Sequence, residues 1–236
     1  MTKILVPIAM LLLALLGVPP VYADSCSAAA ALNASTPKAP DADSHYMFVA
    51  DTVNNRVLVF TLDANKKVSG NTPRYVLGQP DFDHCAAGTS RSAMSHPSAL
   101  AVDSAGKRLF VADEQNNRVL VFSTADLRNG LPAANVLGQV DFTSRAVAAT
   151  LSGMDRPRGV AFDPGHNRLF VVAANVNAGN DTRVLLFDAS HISDGMSAAG
   201  ILGPPDAVLQ LPGRPTKPAP GERDSPPVPY GTSPSF

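Results

Sequence analysis

Apolar residues in this chain gather in short unbroken runs. Leu109-Phe110-Val111-Ala112 and Val119-Leu120-Val121-Phe122 hold no polar position at all. A strand with one wet face alternates apolar and polar residues, so a run with no polar face predicts a strand covered on both sides. Turn-forming residues bound these runs. Together they predict strands over 98–103, 108–112, 118–122 and 135–137, the last stopped by Gly138. The turn at 104–107 places Gly106 where a positive φ is tolerated. A later stretch repeats the pattern: strands over 159–163, 168–173, 183–188 and 200–202.

The runs recur as long copies. NNRVLVF stands at Asn54–Phe60 and again at Asn116–Phe122, with a looser DTRVLLF at Asp181–Phe187. FVAD, FVAD and FVVA precede them, beginning at Phe48, Phe110 and Phe170. VLGQPDF, VLGQVDF and ILGPPD follow, beginning at Val76, Val136 and Ile201. One supersecondary unit is therefore stacked on itself three times. Four-stranded antiparallel units whose two faces are both covered by neighbours are the blades of a β-propeller. The predicted fold is all-β, a partial or shortened propeller of about three blades over 45–206, with copies at about 45–82, 96–142 and 156–206. Phe82 to His96 and Phe142 to Arg156 both span 14 residues, so the long links belong to the repeat.

The ends of the chain have a different composition. Lys3, the apolar run Ile4–Val18 and Val21-Tyr22-Ala23 predict a secretory signal peptide over 1–23, cleaved after Ala23. The apolar run is shorter than the roughly 20 residues a spanning helix needs. The expected location is periplasmic or secreted, with no membrane span after cleavage. Residues 24–44, rich in Ala, Ser, Pro and Asp, read as a flexible lead-in. Ten prolines in the last 33 residues read as a disordered tail over 207–236.

Charge and cysteine content narrow the chemistry. The formal net charge of −1 becomes about −2 once Lys3 is set aside, and no basic block stands out, which argues against nucleic acid. Only two glutamates, Glu114 and Glu222, stand against 18 aspartates, a bias toward turns. Cys26 and Cys85 both survive cleavage, and an oxidising compartment allows a disulfide between them; unpaired thiols are the alternative.

At these residues the chain resembles the NHL-repeat family of β-propellers, in particular a bacterial secreted subgroup. The resemblance rests on a Pro-led first strand ending in Asp (Pro97 to Asp103, Pro157 to Asp163), then LFVAD, a polar turn into NNRVLVF, and the trailing VLGQxDF block. It implies a propeller whose role is usually binding or scaffolding, with a minority of enzymes among related propellers. The first copy departs from the pattern by starting at its second strand. The third follows FVVA with Ala174 instead of Asp.

The repeated polar residues are Asp51, Asn55, Arg56, Gly78, Asp113, Asn117, Arg118, Gly138, Arg183 and Gly203. Residues that recur with a repeat normally build the repeat, so Asp is expected to cap the turn and Arg to pair with a carboxylate. Asp103 and Asp163 end first strands and are the candidates for a metal in the channel. None of the five histidines shows zinc spacing. There is no GxSxG, P-loop or GxGxxG. Asp63-Ala64-Asn65 begins like a calcium loop, yet Arg74 stands where the closing Glu belongs. No catalytic residues and no cofactor are expected. The expected function is a non-catalytic binding or scaffold module for a protein or glycan partner. The alternatives are a lactonase- or lyase-like propeller enzyme with a metal in its channel, and a truncated family member without independent function. An open propeller leaves a strand edge and an apolar blade face exposed at each end, and these are expected to allow self-association.

Overall fold

The computed structural model describes residues 38–40, 46–70, 72–175 and 181–203. The signal peptide, most of the lead-in including Cys26, and the Pro-rich tail lie outside the described residues. Twelve strands and one short 3₁₀ turn are present among those described. They are β1 (Lys38–Pro40), β2 (Tyr46–Asp51), β3 (Arg56–Thr61), β4 (Tyr75–Leu77), β5 (Pro97–Asp103), β6 (Arg108–Asp113), β7 (Arg118–Ser123), β8 (Asn135–Leu137), β9 (Pro157–Asp163), β10 (Arg168–Asn175), β11 (Asp181–Asp188) and β12 (Gly200–Leu202). The 3₁₀ turn is Glu114–Asn116.

The strands form three separate four-stranded antiparallel sheets, ordered β1-β2-β3-β4, β5-β6-β7-β8 and β9-β10-β11-β12. Each sheet is one copy of the repeat. Neighbouring sheets meet through their first strands, β5 against β9 and β1 with β2 against β5. This is the blade arrangement of a propeller, here with three blades.

The unbroken apolar runs now have their reason. In the second blade, Leu109, Val111, Leu120, Phe122 and Val136 face the first blade, against Phe48, Val57, Val59 and Leu77. Their sequence neighbours Phe110, Val119, Val121 and Leu137 face the third blade, against Leu169, Val171, Leu185, Phe187 and Ile201. Successive residues thus enter two different cores, so neither parity of the strand needs to be polar.

Four features differ from the sequence expectations. Lys38–Pro40, inside the segment read as a flexible lead-in, forms the inner strand β1, paired Lys38 with Val49 and Pro40 with Met47. Backbone pairing carries this strand; KAP has no apolar pattern to betray it. In the turn after β5, the positive φ belongs to Lys107 (51°), not to Gly106. Gly106 is needed for space instead, because a Cβ there would collide with the Asp103 carboxylate. In the third copy the hairpin is longer by two residues on each strand, and Ala173, not Ala174, stands opposite Arg183. Lastly, the outer face of the first blade is not exposed: Val49, Leu58 and Val76 are fully buried. The outer face of the third blade is the open one, with Phe170, Val172 and Leu186 half-buried and Leu202 exposed.

The glycine of VLGQ sits at φ 84° in the first blade (Gly78) and 85° in the second (Gly138). A Cβ on Gly138 would lie 2.5 Å from Met154 Cε, and one on Gly78 2.5 Å from Met94 Cε. Both methionines are fully buried. Gly138→Ala combines a positive φ with an overpacked core, and is expected to cost about 2–4 kcal/mol. Differential scanning calorimetry should show a lowered melting temperature; an unchanged one would remove the packing role assigned to this glycine.

Candidate functional site

The turns between second and third strands, the long links, and the beginnings of the inner strands all converge on one end of the blades. That end holds most of the buried polar side chains. Asp113 and Arg118 face each other in the strand register and are both fully buried. Arg118 Nε donates to Asp113 Oδ2 at 2.7 Å. Its Nη1 donates to the Phe142 carbonyl at 2.5 Å. Its Nη2 donates to the carbonyls of Ser90 (3.0 Å) and Ala93 (2.9 Å). One guanidinium therefore holds the link before its blade and the link after it. Arg56 repeats the motif, with Nε on Asp51 Oδ2 at 2.8 Å and Nη1 on the Phe82 carbonyl at 2.7 Å. Burial pushes the Asp113 carboxyl above its ordinary value, opposed by Arg118, Asn116 and the Ser95 amide.

Asn117 adopts the left-handed conformation (φ 54°) and bridges two further elements. Its Oδ1 accepts from the Arg156 amide at 2.8 Å, and its Nδ2 donates to the Arg145 carbonyl at 2.9 Å. Asn55 does the same with the His96 amide and the Cys85 carbonyl. Cys85 is disulfide-bonded.

The third blade solves the same problem differently. Ala173 replaces the strand carboxylate, so Arg183 has none opposite it. A buried carboxylate reaches this region from the link instead, on Asp155, which occupies the place of Ser95 in the second copy. Arg183 donates to the carbonyls of Ala148 (3.0 Å) and Gly153 (2.9 Å). Burial lowers its pKa, with the Asp155 charge opposing.

Asp103 and Asp163 each bond within their own turn or hairpin. Asp103 accepts from the Gly106 amide at 2.9 Å and from Arg108 Nε at 2.8 Å. Asp163 accepts from the Gly165 amide at 2.9 Å and contacts His166 Nδ1 at 2.7 Å. Among the described residues, no three His, Cys, Asp or Glu side chains cluster. Asp63 accepts from its own turn, the amides of Asn65 and Lys67.

Two groups at this end are not legible as site residues in the sequence. The first is Gln79 and Gln139, legible only as an unexplained letter inside VLGQ. Gln139 Nε2 donates to the carbonyls of Asn117 and Ala146, both at 2.8 Å, and its Oε1 accepts from the Ala146 amide. The second is a charged trio at the junction of blades two and three. Glu114 is buried. Its Oε1 accepts from Arg158 Nε at 3.0 Å and Arg156 Nη2 at 3.3 Å. The two arginine side chains are 51 % and 40 % exposed. Residues 42 and 44 positions apart carry no spacing signal.

No protein-family model matches this chain, and no curated protein matches it either. Among solved structures, it is similar to the structure of U3-55K (14 % identity, 72 % of this chain, 40 % of that one, TM-score 0.44). It is also similar to hydrazine synthase from Kuenenia stuttgartiensis (16 % identity, 64 % and 33 %, TM-score 0.41). The crystal structure of the RRP9 WD40 repeats matches at 13 % identity over 72 % and 39 %, TM-score 0.43. The chain spans less than half the length of each. It is the order and stacking of the sheets, not these distant likenesses, that define the fold here.

Arg118→Ala would leave Asp113 without its counter-charge and three link carbonyls without their donor. Breaking a buried pair from one side costs about 3–5 kcal/mol. For a domain of this size that is roughly 6–20 °C in melting temperature. The orphaned carboxylate escapes by taking up a proton, so the deficit against the parent should shrink as pH falls from 8 to 5. Thermal melts across that range check both statements, and a deficit independent of pH would show that the carboxylate is not the source of the cost.

Proposed function

We propose that this chain is an exported NHL-type propeller acting as a non-catalytic binding or scaffold module, which meets a protein or glycan partner through its link-bearing end. The observation that carries the reading is where the repeated polar side chains point. Asp51, Arg56, Asp113, Arg118, Asn55 and Asn117 all engage their own turns, links or neighbouring blade. Groups satisfied in this way are framework. The links and turns they fix are then free to vary in what they present outward. Export follows from the charged start and short apolar run at the N-terminus.

The test separates module from enzyme. The purified protein, supplied with calcium, magnesium, manganese or zinc, should hydrolyse aliphatic lactones no faster than a protein-free control. Turnover abolished by Asp103→Asn or Asp163→Asn would move the assignment to a metal hydrolase.

Self-association belongs to the same reading, with a specific geometry. The half-buried Phe170, Val172 and Leu186 and the exposed Leu202 lie on the third blade alone, while the first blade's outer face is buried. Two copies can therefore pair through third blades, but a head-to-tail ring lacks its second surface. Sedimentation should detect weak dimers and no larger rings, and Leu186→Glu should abolish them. Cyclic assemblies would overturn this geometry.

A further inference from the structure

The junctions between successive blades are built to one plan, and one of them departs from it. At the first junction, Thr52, His96 and Ser98 occupy the turn after β2 and the start of β5. Thr52 Oγ1 donates to the Pro97 carbonyl at 2.7 Å and closes the contact. At the second junction the same three repeat positions carry Glu114, Arg156 and Arg158. A neutral bond to the inner-strand proline carbonyl is present there too, from a different position: Ser98 Oγ on β5 donates to the Pro157 carbonyl at 3.0 Å. The charged trio is therefore added to a junction that already closes without it. Places where a repeat breaks its own rule without a structural need are where function is expected.

The geometry of the trio is that of a preset receptor. Glu114 is buried and fixes both guanidinium groups at a single oxygen, Oε1. Arg158 uses Nε for that contact and Arg156 uses Nη2, so the remaining N–H groups of both are turned to other directions. The backbone helps to aim Arg156, whose φ of 40° is held by the bond from its amide to Asn117 Oδ1. Two cations share one anion, leaving one positive charge in excess at half-exposed groups. Paired guanidiniums with spare, coplanar donors recognise carboxylates bidentately. An excess of one charge matches a monovalent carboxylate better than a phosphate dianion.

We propose that Glu114, Arg156 and Arg158 form a receptor for a side-chain carboxylate of an acidic, partly apolar peptide segment. The proposal rests on reading the chain as a binding module. A peptide is favoured over an acidic glycan by the apolar residues exposed on the described chain. The exposed large apolar residues of the described chain are Val53, Val140, Val147 and Leu202, with no aromatic ring among them on which a sugar would stack. Val53 lies on the turn equivalent to that of Glu114. Val147 lies in the link whose Arg145 carbonyl is bonded by Asn117. Both therefore belong to the same end of the blades as the arginines.

The probe is a short peptide alternating valine and glutamate, acetylated and amidated at its ends, titrated into the full exported chain by fluorescence anisotropy. Saturable binding is expected, weakening as salt rises and lost when glutamine replaces glutamate. The triple variant E114T/R156H/R158S installs the residues of the first junction, which closes with neutral groups. It should melt close to the parent yet bind the peptide roughly tenfold more weakly or worse, since charged-pair truncations at an interface typically cost that much. Unchanged affinity in this variant would overturn the proposal, as would a large fall in melting temperature with binding intact. Tighter binding of oligogalacturonate than of the peptide would reassign the site to a glycan. Competition by inorganic phosphate more effective than by acetate would remove the carboxylate assignment. Lactone turnover with peptide binding intact would refute the module reading alone and leave the receptor standing.

Discussion

A four-stranded blade can be assembled from generic apolar runs, but the long link that follows it cannot. Links of this length carry carbonyls and amides that no strand pairs, and burying them unpaired is costly. The buried Arg118–Asp113 pair is the answer. The carboxylate neutralises the guanidinium where water cannot. The guanidinium then distributes its other N–H groups over carbonyls from both flanking links. Five fixed donors on one planar group are what this task requires; a lysine would supply a point charge without the fork. Asn117 and Gln139 extend the same logic outward from the arginine. One pins the next inner strand, and the other pins the link's Ala146.

The third blade shows which part of this arrangement is constrained. Its strand carboxylate is gone, yet a buried arginine remains on link carbonyls and an aspartate has appeared in the link, at Asp155. The constraint is on the guanidinium and its access to carbonyls. The counter-charge can enter from either element. The substitution is not perfect, since Asp155 Oδ2 is buried without a hydrogen-bond partner. The third blade should accordingly be the least stable of the three, and its longer hairpin and half-exposed outer face point the same way.

How much of this was legible in the sequence depended on whether a feature repeats. The strands of the second copy fell within a residue of their predicted ends, because unbroken apolar runs between Asn, Asp and Gly have few other readings. The role of Arg118 as framework followed from its recurrence. The position of β1 was not legible, since Lys38-Ala39-Pro40 joins the sheet through its backbone and offers no pattern; the first copy's missing first strand alone called for one. Gly106 was read as a turn glycine, when the space beside Asp103 is what it provides. The trio of Glu114, Arg156 and Arg158 was missed for the opposite reason. It occurs once, at residues brought together only by the stacking of two blades, and a single glutamate in a turn carries no signal.

The stack is also directional, which sets its ends apart. The outer strand of each blade is latched by the next one. Val76 accepts from the Gly130 amide at 3.0 Å and donates to Asn129 Oδ1 at 3.1 Å. Val136 does the same with Gly195 and Asp194 Oδ1. In each latch the glycine has a positive φ and packs on the preceding blade's Gln79-Pro80 or Gln139-Val140 backbone. The first blade carries the corresponding glycine, Gly70 at φ 86°, with nothing within 4 Å of its Cβ direction. It is preceded by Ser69, where the working latches have Asn or Asp. A serine hydroxyl is a shorter and weaker reach to a strand amide than an Asx side chain. The two ends of the stack are therefore not complementary in the way that its internal junctions are. Apolar cores hold the blades together, these polar latches add a directional contact at each internal junction, and at the first blade a serine stands where the others carry the Asx acceptor.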